Sequence, residues 1–213
     1  MNVRCKGGVI LSHGGFAADV PFRTSQNPVL SEEVMSTNQE GATAEALWEA
    51  MRMGTMTTQT PFFNMGAGFP YGIIVDPATS RRFVNEMGNR RETSLAVIQL
   101  GHPAVCLADA AGAVHSLERD LDKLLPAVRP FGSLGELAQA FGADPAVLQE
   151  SVDSYNGGLA AGADALGRTW PRGDELPIHN AARLWPKVHH CMGGLFVDED
   201  ARVHSVSSSG PAA

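Results

Sequence analysis

Short unbroken apolar runs alternate along this chain with apolar residues at helical spacing. Unbroken runs bounded by glycine or turn residues are typical of buried strands, whereas spacings of three and four residues are typical of helices. The runs predict strands at residues 8–12, 71–75, 82–85 and 104–107, and a strand, a glycine bend and a second strand over 188–197. Residues 76–80 have the composition of a turn, so we expect the second and third strands to form a hairpin.

The helical stripes carry recognisable start signals. The spacing predicts helices at 44–53, 93–100 and 114–128, and two more that begin after Ser133 and Asp144. Ser133 is followed three positions later by a glutamate, a capping-box pattern, and Asp144 precedes a proline that suits the first helical position. Residues 17–39 are polar and are expected to form a surface connection. Helices and hairpins segregated in this way predict an α+β fold rather than a regular βαβ alternation.

Composition and charge narrow the protein class. The chain has 213 residues, of which 44% are hydrophobic, enough for a substantial core without disulfide or metal cross-links. Its 16 basic and 23 acidic residues give a net charge of -7, without the basic surface of a nucleic-acid-binding protein. No stretch approaches the roughly 20 apolar residues of a membrane span, and Cys5, Cys106 and Cys191 form no C-x-x-C pair. We therefore expect a cytoplasmic protein that binds no nucleic acid and spans no membrane.

Two glycines end the first predicted strand. His13-Gly14-Gly15 is similar to the oxyanion-hole segment of esterases, but no G-x-S-x-G nucleophile motif accompanies it. We interpret these glycines as positions where another backbone or a ligand approaches closely. The sequence contains neither a G-x-G-x-x-G motif nor a P-loop, so it has no self-sufficient nucleotide-binding motif.

A histidine pair precedes the second glycine bend. His189 and His190 are adjacent on a predicted strand, where neighbouring side chains point to opposite faces, so we predict no metal site. Gly193 and Gly194 follow them and would let a flat ligand lie against the backbone. Two interpretations remain open: a ligand-facing pair, or one buried structural histidine beside a bend.

Two arginine pairs flank Glu86, one at residues 81–82 and the other at residues 90–91. They would form ordinary ion pairs on a solvated hairpin, which stabilise a fold little. Alternatively they would recognise an anion, because the guanidinium fork binds a carboxylate through two hydrogen bonds.

The order of several segments resembles fumarate-reductase-like flavoproteins, which include soluble fumarate reductases, urocanate reductase and the ketosteroid dehydrogenases. The most specific segment is residues 187–195, which resembles the family's "VHHTMGG". Residues 14–16 resemble "ATGGF", and residues 41–45 resemble "GATGDG". The other similar segments are 73–86 with Arg90 ("GKRFVNE...R"), 153–157 ("YNG") and 166–168 ("FGR").

The resemblance implies FAD as the cofactor and a hydride transfer between flavin N5 and a C–C bond beside a carboxylate or carbonyl. It implies that residues 62–186 form the capping domain that covers the substrate. Residues 1–61 and 187–213 would then be fragments of the FAD-binding domain.

Residue roles follow from the same resemblance. Arg90 matches the catalytic proton donor, and His189 and His190 match the pair that binds substrate. Positions implied to meet FAD are Gly14, Gly15, Thr43, Glu45, Met192, Gly193 and Gly194. No metal is implied.

The chain also departs from the family pattern. Pro61 stands where the family has a substrate histidine, and residues 62–71 carry no charge. We therefore expect a small unsaturated acid or carbonyl substrate other than fumarate. Nothing matches the family's N-terminal FAD fingerprint or its C-terminal "NRLGGN" segment, so we expect weak or absent FAD binding by this chain alone. We also expect the chain to associate with a partner chain that carries the FAD domain, or with a second copy of itself in a homo-oligomer. Alternatively, it would be a binding module without catalysis.

Overall fold

The computed structural model describes residues 4–60, 63–66 by their backbone, 72–108, 128–169 and 180–207. The chain divides into two compact units, Met1–Met65 with Lys187–Ala213, and Gly66–Pro186. The helix predicted at 114–128 lies outside the described residues except for its last position. Within the described ranges, no helix has the length and apolar character needed to cross a bilayer.

Both units contain helices and short strands. The helices are α1 (Val20–Gln26), α2 (Glu45–Arg52), α3 (Arg90–Gln99), α4 (Leu134–Phe141) and α5 (Pro145–Ala161). The strands are β1 (Thr57–Thr58), β2 (Phe63–Gly66), β3 (Gly72–Asp76), β4 (Arg81–Arg82), β5 (Ala104–Ala108), β6 (Arg129–Pro130), β7 (Asn180–Leu184), β8 (Lys187–Cys191) and β9 (Gly194–Leu195).

A five-stranded antiparallel sheet organises the second unit, in the order β4-β3-β5-β7-β6. Strands β3 and β5 are buried along their whole length. Ile73 and Leu107 pack in one cluster with Leu137 and Leu148 of α4 and α5. Ile74 belongs to a second cluster that includes residues of α3. Helices therefore cover both faces of the sheet, which explains why these strands have continuous rather than alternating hydrophobic patterns.

The predicted helix start signals form the predicted caps. Ser133 accepts a hydrogen bond from Glu136 N at 3.2 Å, and the Asp144 carboxylate accepts from Ala146 N at 2.8 Å. Gly142 and Gly162 end the two helices at φ values of +73° and +82°, in the left-handed region that favours glycine. Both predicted helices are confirmed. Their capping residues could be recognised in the sequence because each cap lies within a few residues of the helix end that it stabilises.

In the first unit, Asp19 connects the starts of two helices. Its Oδ1 accepts a hydrogen bond from Phe22 N in α1 at 2.9 Å, and its Oδ2 accepts from Ala44 N at the start of α2 at 2.9 Å. A carboxylate in this position satisfies orphan amides and favours the positive ends of both helices. The helix predicted at 44–53 is confirmed, and its N-terminal cap comes from outside the helix.

Two predicted strands differ from the structure. Residues 8–12 form no strand, and Val9 and Ile10 are 74% and 92% exposed, because no described segment pairs with them or covers them. The hairpin is present, but its second strand ends at Arg82 rather than at residue 85. Beyond that point the Glu86 carboxylate accepts the hydrogen bond of Ile74 N at 3.0 Å, in place of a strand carbonyl.

Candidate functional site

Strand β8 carries the histidine pair, and residues 35–38 run beside it in parallel. Val188 N donates to Met35 O at 2.8 Å, and Thr37 N donates to Val188 O at 2.9 Å. Val188 is fully buried. We call residues 35–38 the parallel strap. The sequence predicts a surface connection for this stretch and does not indicate the strap. No local sequence pattern marks a pairing between residues about 150 positions apart.

The strap also holds His189. The Nδ1 atom of His189 lies 2.8 Å from the Thr37 hydroxyl, and the His189 carbonyl accepts a hydrogen bond from the side-chain amide of Asn38 at 2.6 Å. The rings of His189 and His190 are both exposed and meet edge to face, with centroids 5.5 Å apart. This is closer than the alternation of side chains along a strand predicted. Among the described residues, no group of three potential metal ligands forms.

The glycine segment at residues 14–15 lies against the same strand. Phe16 N donates a hydrogen bond to the Cys191 sulfur at 3.1 Å, and a Cβ added at Gly15 would lie 3.1 Å from that sulfur. Gly14 has a φ of +78°, which side-chain-bearing residues rarely adopt. The structure therefore brings the first glycine pair and the histidine strand together. Burial raises the pKa of the Cys191 thiol, and the hydrogen bond from Phe16 opposes that rise.

The second glycine pair has two different environments. A Cβ at Gly193 would lie 2.2 Å from Thr58 O and 2.3 Å from the carbonyl carbon of Gln59, so only glycine fits there. Gly194 has no atom within 4 Å of the same position, and Met192 is 53% exposed. Gly193 thus secures the bend, while Met192 and Gly194 are available to a ligand.

The remaining predicted positions lie elsewhere. Thr43 and Glu45 stand at the start of α2, beside the amide of Ala44 that Asp19 holds. Arg90 is the first residue of α3 in the other unit, with an exposed side chain, and Asn89 caps its helix. Within the first unit, the histidine strand thus contacts the segment Gly15–Phe16 through Cys191.

A comparison with known protein families identifies the family of this chain. The model of the FAD binding domain family matches residues 2–211, nearly the whole chain. The chain belongs to the FAD binding domain family. FAD is therefore the cofactor of its family, and the resemblance to fumarate-reductase-like flavoproteins is confirmed.

Relatives within the FAD binding domain family are reductases. The acrylate reductase flavoprotein subunit of Shewanella woodyi is 27% identical over 231 residues, which cover 95% of this chain and 46% of that protein. A fumarate reductase (cytochrome) of Shewanella frigidimarina is 29% identical, with 92% and 37% covered. The chain thus spans less than half the length of these curated relatives. The open conformation of a flavocytochrome c3 fumarate reductase shares the fold, with a TM-score of 0.71 at 22% identity, covering 93% of this chain and 38% of that one.

Open main chain at two glycines of the site is compatible with the flat ring of the family's cofactor. An isoalloxazine ring needs open main chain to lie on, and Gly14 and Gly194 have nothing within 4 Å of their Cβ positions. Met192 and His190 are exposed beside them in the sequence. No G-x-G-x-x-G motif is present to hold the phosphates. The fit therefore concerns the ring rather than the whole dinucleotide.

Three family-like segments of the second unit meet in a buried ionic network. Arg82 Nη2 and Arg168 Nη1 donate to Glu86 Oε2 at 2.8 and 2.9 Å. Arg82 Nη1 also donates to Asp164 Oδ2 at 2.8 Å, and the Arg168 guanidinium lies 4.9 Å above the Tyr155 ring. All four charged side chains are at most 5% exposed. The expectation of a solvated hairpin is wrong for Arg82, because two buried carboxylates occupy its guanidinium.

The charges in this network stabilise one another. Burial lowers the pKa of the Arg82 guanidinium, but hydrogen bonds to Glu86 and Asp164 outweigh burial and raise it. Burial raises the pKa of the Asp164 carboxyl, but the hydrogen bond from Arg82 and those from the backbone outweigh it and lower the pKa. The network is neutral, with two guanidinium groups paired with two carboxylates, which favours a structural role over anion binding.

Proposed function

We propose that this chain forms part of an FAD-dependent reductase that acts on a C–C double bond beside a carboxylate or carbonyl. The observation that carries the proposal is the contact of the Gly15–Phe16 segment with Cys191. In this contact, one glycine-bearing segment of a flavoprotein-family chain meets the strand that carries the exposed histidine pair and leads into the second glycine pair. Bound FAD would supply a hydride from its N5 position.

The chain's own residues would bind and orient the substrate. His189 and His190 carry ring N–H groups, and a carboxylate only accepts hydrogen bonds, so the pair suits an acid substrate. Gly14 and Gly194 would leave the main chain open to the flat ring, and Met192 would cover its edge. We propose Arg90 as the proton donor, and because a guanidinium group stays protonated in proteins, the reaction requires a group that returns the proton to it.

The proposed substrate is a small unsaturated acid with one carboxylate. The relatives include an acrylate reductase subunit and a fumarate reductase. Pro61 stands where the resemblance implies a second substrate-binding histidine, which favours a monocarboxylate over fumarate. Since a proline ring offers no N–H donor, it cannot bind a second carboxylate.

The domain assignment stays part of the proposal. We propose that residues 62–186 form the capping domain, and that 1–61 and 187–213 belong to the FAD-binding domain. Two compact units with boundaries after Met65 and Pro186 support this division. A cytoplasmic location is proposed as well, supported by the free thiols of Cys5, Cys106 and Cys191.

A second candidate is one half of a two-chain flavoenzyme, or a binding module without catalysis. The exposed apolar residues Val9, Ile10 and Leu11 favour a partner, because such a run is rarely left in water. A partner chain with the FAD domain, or a second copy of this chain, would cover it.

Titration of the purified chain with FAD, followed by visible absorbance and flavin fluorescence, tests the proposal. Weak FAD uptake by the chain alone, together with oxidation of a reduced viologen dye by acrylate at saturating FAD, is the expected result. The variant His190→Ala should weaken acrylate turnover at least tenfold, whereas His204→Ala, at a histidine that packs on Phe196, should not. Absence of FAD uptake together with co-purification of a flavoprotein would instead establish the two-chain candidate.

A further inference from the structure

The Thr37 hydroxyl and the His189 ring form a short hydrogen bond where the parallel strap pairs with β8. Their Oγ1 and Nδ1 atoms are 2.8 Å apart. The chain separates the two residues by 152 positions, so the contact depends on the parallel pairing of the strap with β8. A hydroxyl is both a donor and an acceptor, whereas each nitrogen of a neutral imidazole is one or the other.

The neighbouring acceptors of the Thr37 hydroxyl indicate which atom donates in its hydrogen bond with His189. The alternative acceptor for the hydroxyl hydrogen is Val188 O, at 3.4 Å. That carbonyl already accepts the Thr37 amide at 2.9 Å. The distance of 2.8 Å to Nδ1 lies within the range of good hydrogen bonds, and 3.4 Å lies outside it. These distances favour donation from the hydroxyl to Nδ1.

With Nδ1 as the acceptor, the ring proton of neutral His189 would reside on Nε2. We propose that Thr37 is a positioning residue that fixes the Nε2–H tautomer of His189, so that the neutral ring donates a hydrogen bond to the carboxylate of the substrate. The ligand in this statement rests on the proposed function, and the tautomer does not. A carboxylate needs a donor, and this tautomer supplies one without protonation of the ring.

The strap keeps the ring in place independently of the hydroxyl. Asn38 donates from its side-chain amide to His189 O at 2.6 Å, and both its main-chain and side-chain nitrogens donate to the Ser36 hydroxyl, at 3.0 and 3.1 Å. The main-chain hydrogen bonds of Val188 with Met35 and Thr37 also hold the strap against β8. Replacement of Thr37 by valine therefore removes the hydroxyl and preserves the backbone pairing.

Ring-nitrogen NMR of the full chain tests the tautomer directly. Long-range 1H–15N spectra at about pH 8, where imidazole is neutral, should show His189 with a protonated Nε2 and an accepting Nδ1. Thr37→Val should give averaged shifts of both tautomers, and Thr37→Ser should restore the wild-type pattern. Thr58→Val, at an exposed threonine of β1, is the matched control and should leave His189 unchanged. A proton on Nδ1 in the wild-type protein would overturn the proposal without any variant.

A second measurement tests the ligand. Addition of acrylate should shift the His189 ring signals, and Thr37→Val should bind acrylate at least threefold more weakly than wild type and Thr37→Ser. Equal affinity in all three, with the tautomer changed in Thr37→Val, would overturn the role of the hydroxyl in substrate binding. If acrylate binds to none of them while the tautomer pattern holds, the proposed function and its ligand fail and the Thr37–His189 relationship stands.

Discussion

Arg168 Nη1 lies 2.9 Å from the Oε2 atom of Glu86, 82 positions away along the chain. The same guanidinium nitrogen donates to Gly72 O at 2.6 Å, and Glu86 Oε1 accepts from Ile74 N at 3.0 Å. Together, Arg168 and Glu86 hold the edge of β3 that β4 leaves after Arg82. A buried ion pair thus completes the sheet of the second unit where strand pairing stops.

Replacement of Glu86 by glutamine should destabilise the second unit strongly. The change preserves the shape of the side chain but leaves Arg82 and Arg168 buried with one carboxylate between them. Removal of one partner from a buried pair typically costs about 3–5 kcal/mol. Urea unfolding, followed by circular dichroism, should show this loss.

Glu150→Gln is the matched control for that prediction. Glu150 pairs with Arg81 at 3.2 Å, but both side chains are more than half exposed. An exposed pair of this kind contributes about 0–1 kcal/mol. Equal losses in Glu86→Gln and Glu150→Gln would show that burial does not determine the strength of these pairs.

The Asp164 carboxyl should make stability depend on acid pH. Burial raises its pKa, but the hydrogen bond from Arg82 and those from the backbone lower it more, so the folded pKa lies below the unfolded value of about 3.9. The stabilisation is therefore complete above about pH 4 and is lost as the pH falls through the lowered folded value. Unfolding free energies measured from about pH 7 to about pH 3 should fall less steeply in Asp164→Asn than in wild type. The exposed Asp153→Asn should follow the wild-type curve.

Local signals explain which parts of the fold were predictable. Ser133 and Asp144 mark the starts of α4 and α5 because each side chain caps amides two or three positions away. The continuous apolar runs of β3 and β5 predict buried strands for the same reason: burial on both faces is written into adjacent residues. These elements required no knowledge of the rest of the chain.

Long-range pairing explains what could not be predicted. The parallel strap is a polar segment, and only its pairing with Val188 makes it structural. Residues 8–12 show the reverse, since an apolar run predicts a buried strand but requires a partner strand to become one. The resemblance to flavoproteins indicated Arg90, His189 and His190 by motif. It gave no indication of the Thr37 hydroxyl that contacts His189, because that residue lies outside the matching segments.

Arg23 should be essential to the first unit although it faces no catalytic group. Its guanidinium is 1% exposed and donates to four carbonyls, those of Ala17, Leu30, Ser31 and Val34. Burial lowers its pKa, opposed by the charge of Asp19. Arg23→Met should cost at least about 3 kcal/mol, because each buried carbonyl without a donor costs about 1–3 kcal/mol.

Two further variants test whether the guanidinium geometry of Arg23 is the source of this stability. Arg23→Lys should recover part of the lost stability, since an ammonium group has fewer donors and a different geometry from a guanidinium fork. Arg52→Met, at an exposed arginine paired with Glu49 on α2, should change the free energy of unfolding by less than about 1 kcal/mol. Full recovery by lysine would contradict the role assigned to the four-carbonyl geometry.

Gly193→Ala should disrupt the bend after the histidine strand, whereas Gly194→Ala should be tolerated. The added methyl group at Gly193 would stand 2.2 Å from Thr58 O, a backbone atom that cannot rotate away, while Gly194 has open space at its Cβ position. Forced displacement of packed backbone costs about 1–3 kcal/mol or more. Urea unfolding gives the stability loss, and the NMR signals of His189 and His190 report whether the bend has moved. Unchanged histidine signals in Gly193→Ala would show that the bend does not depend on the close approach of β1.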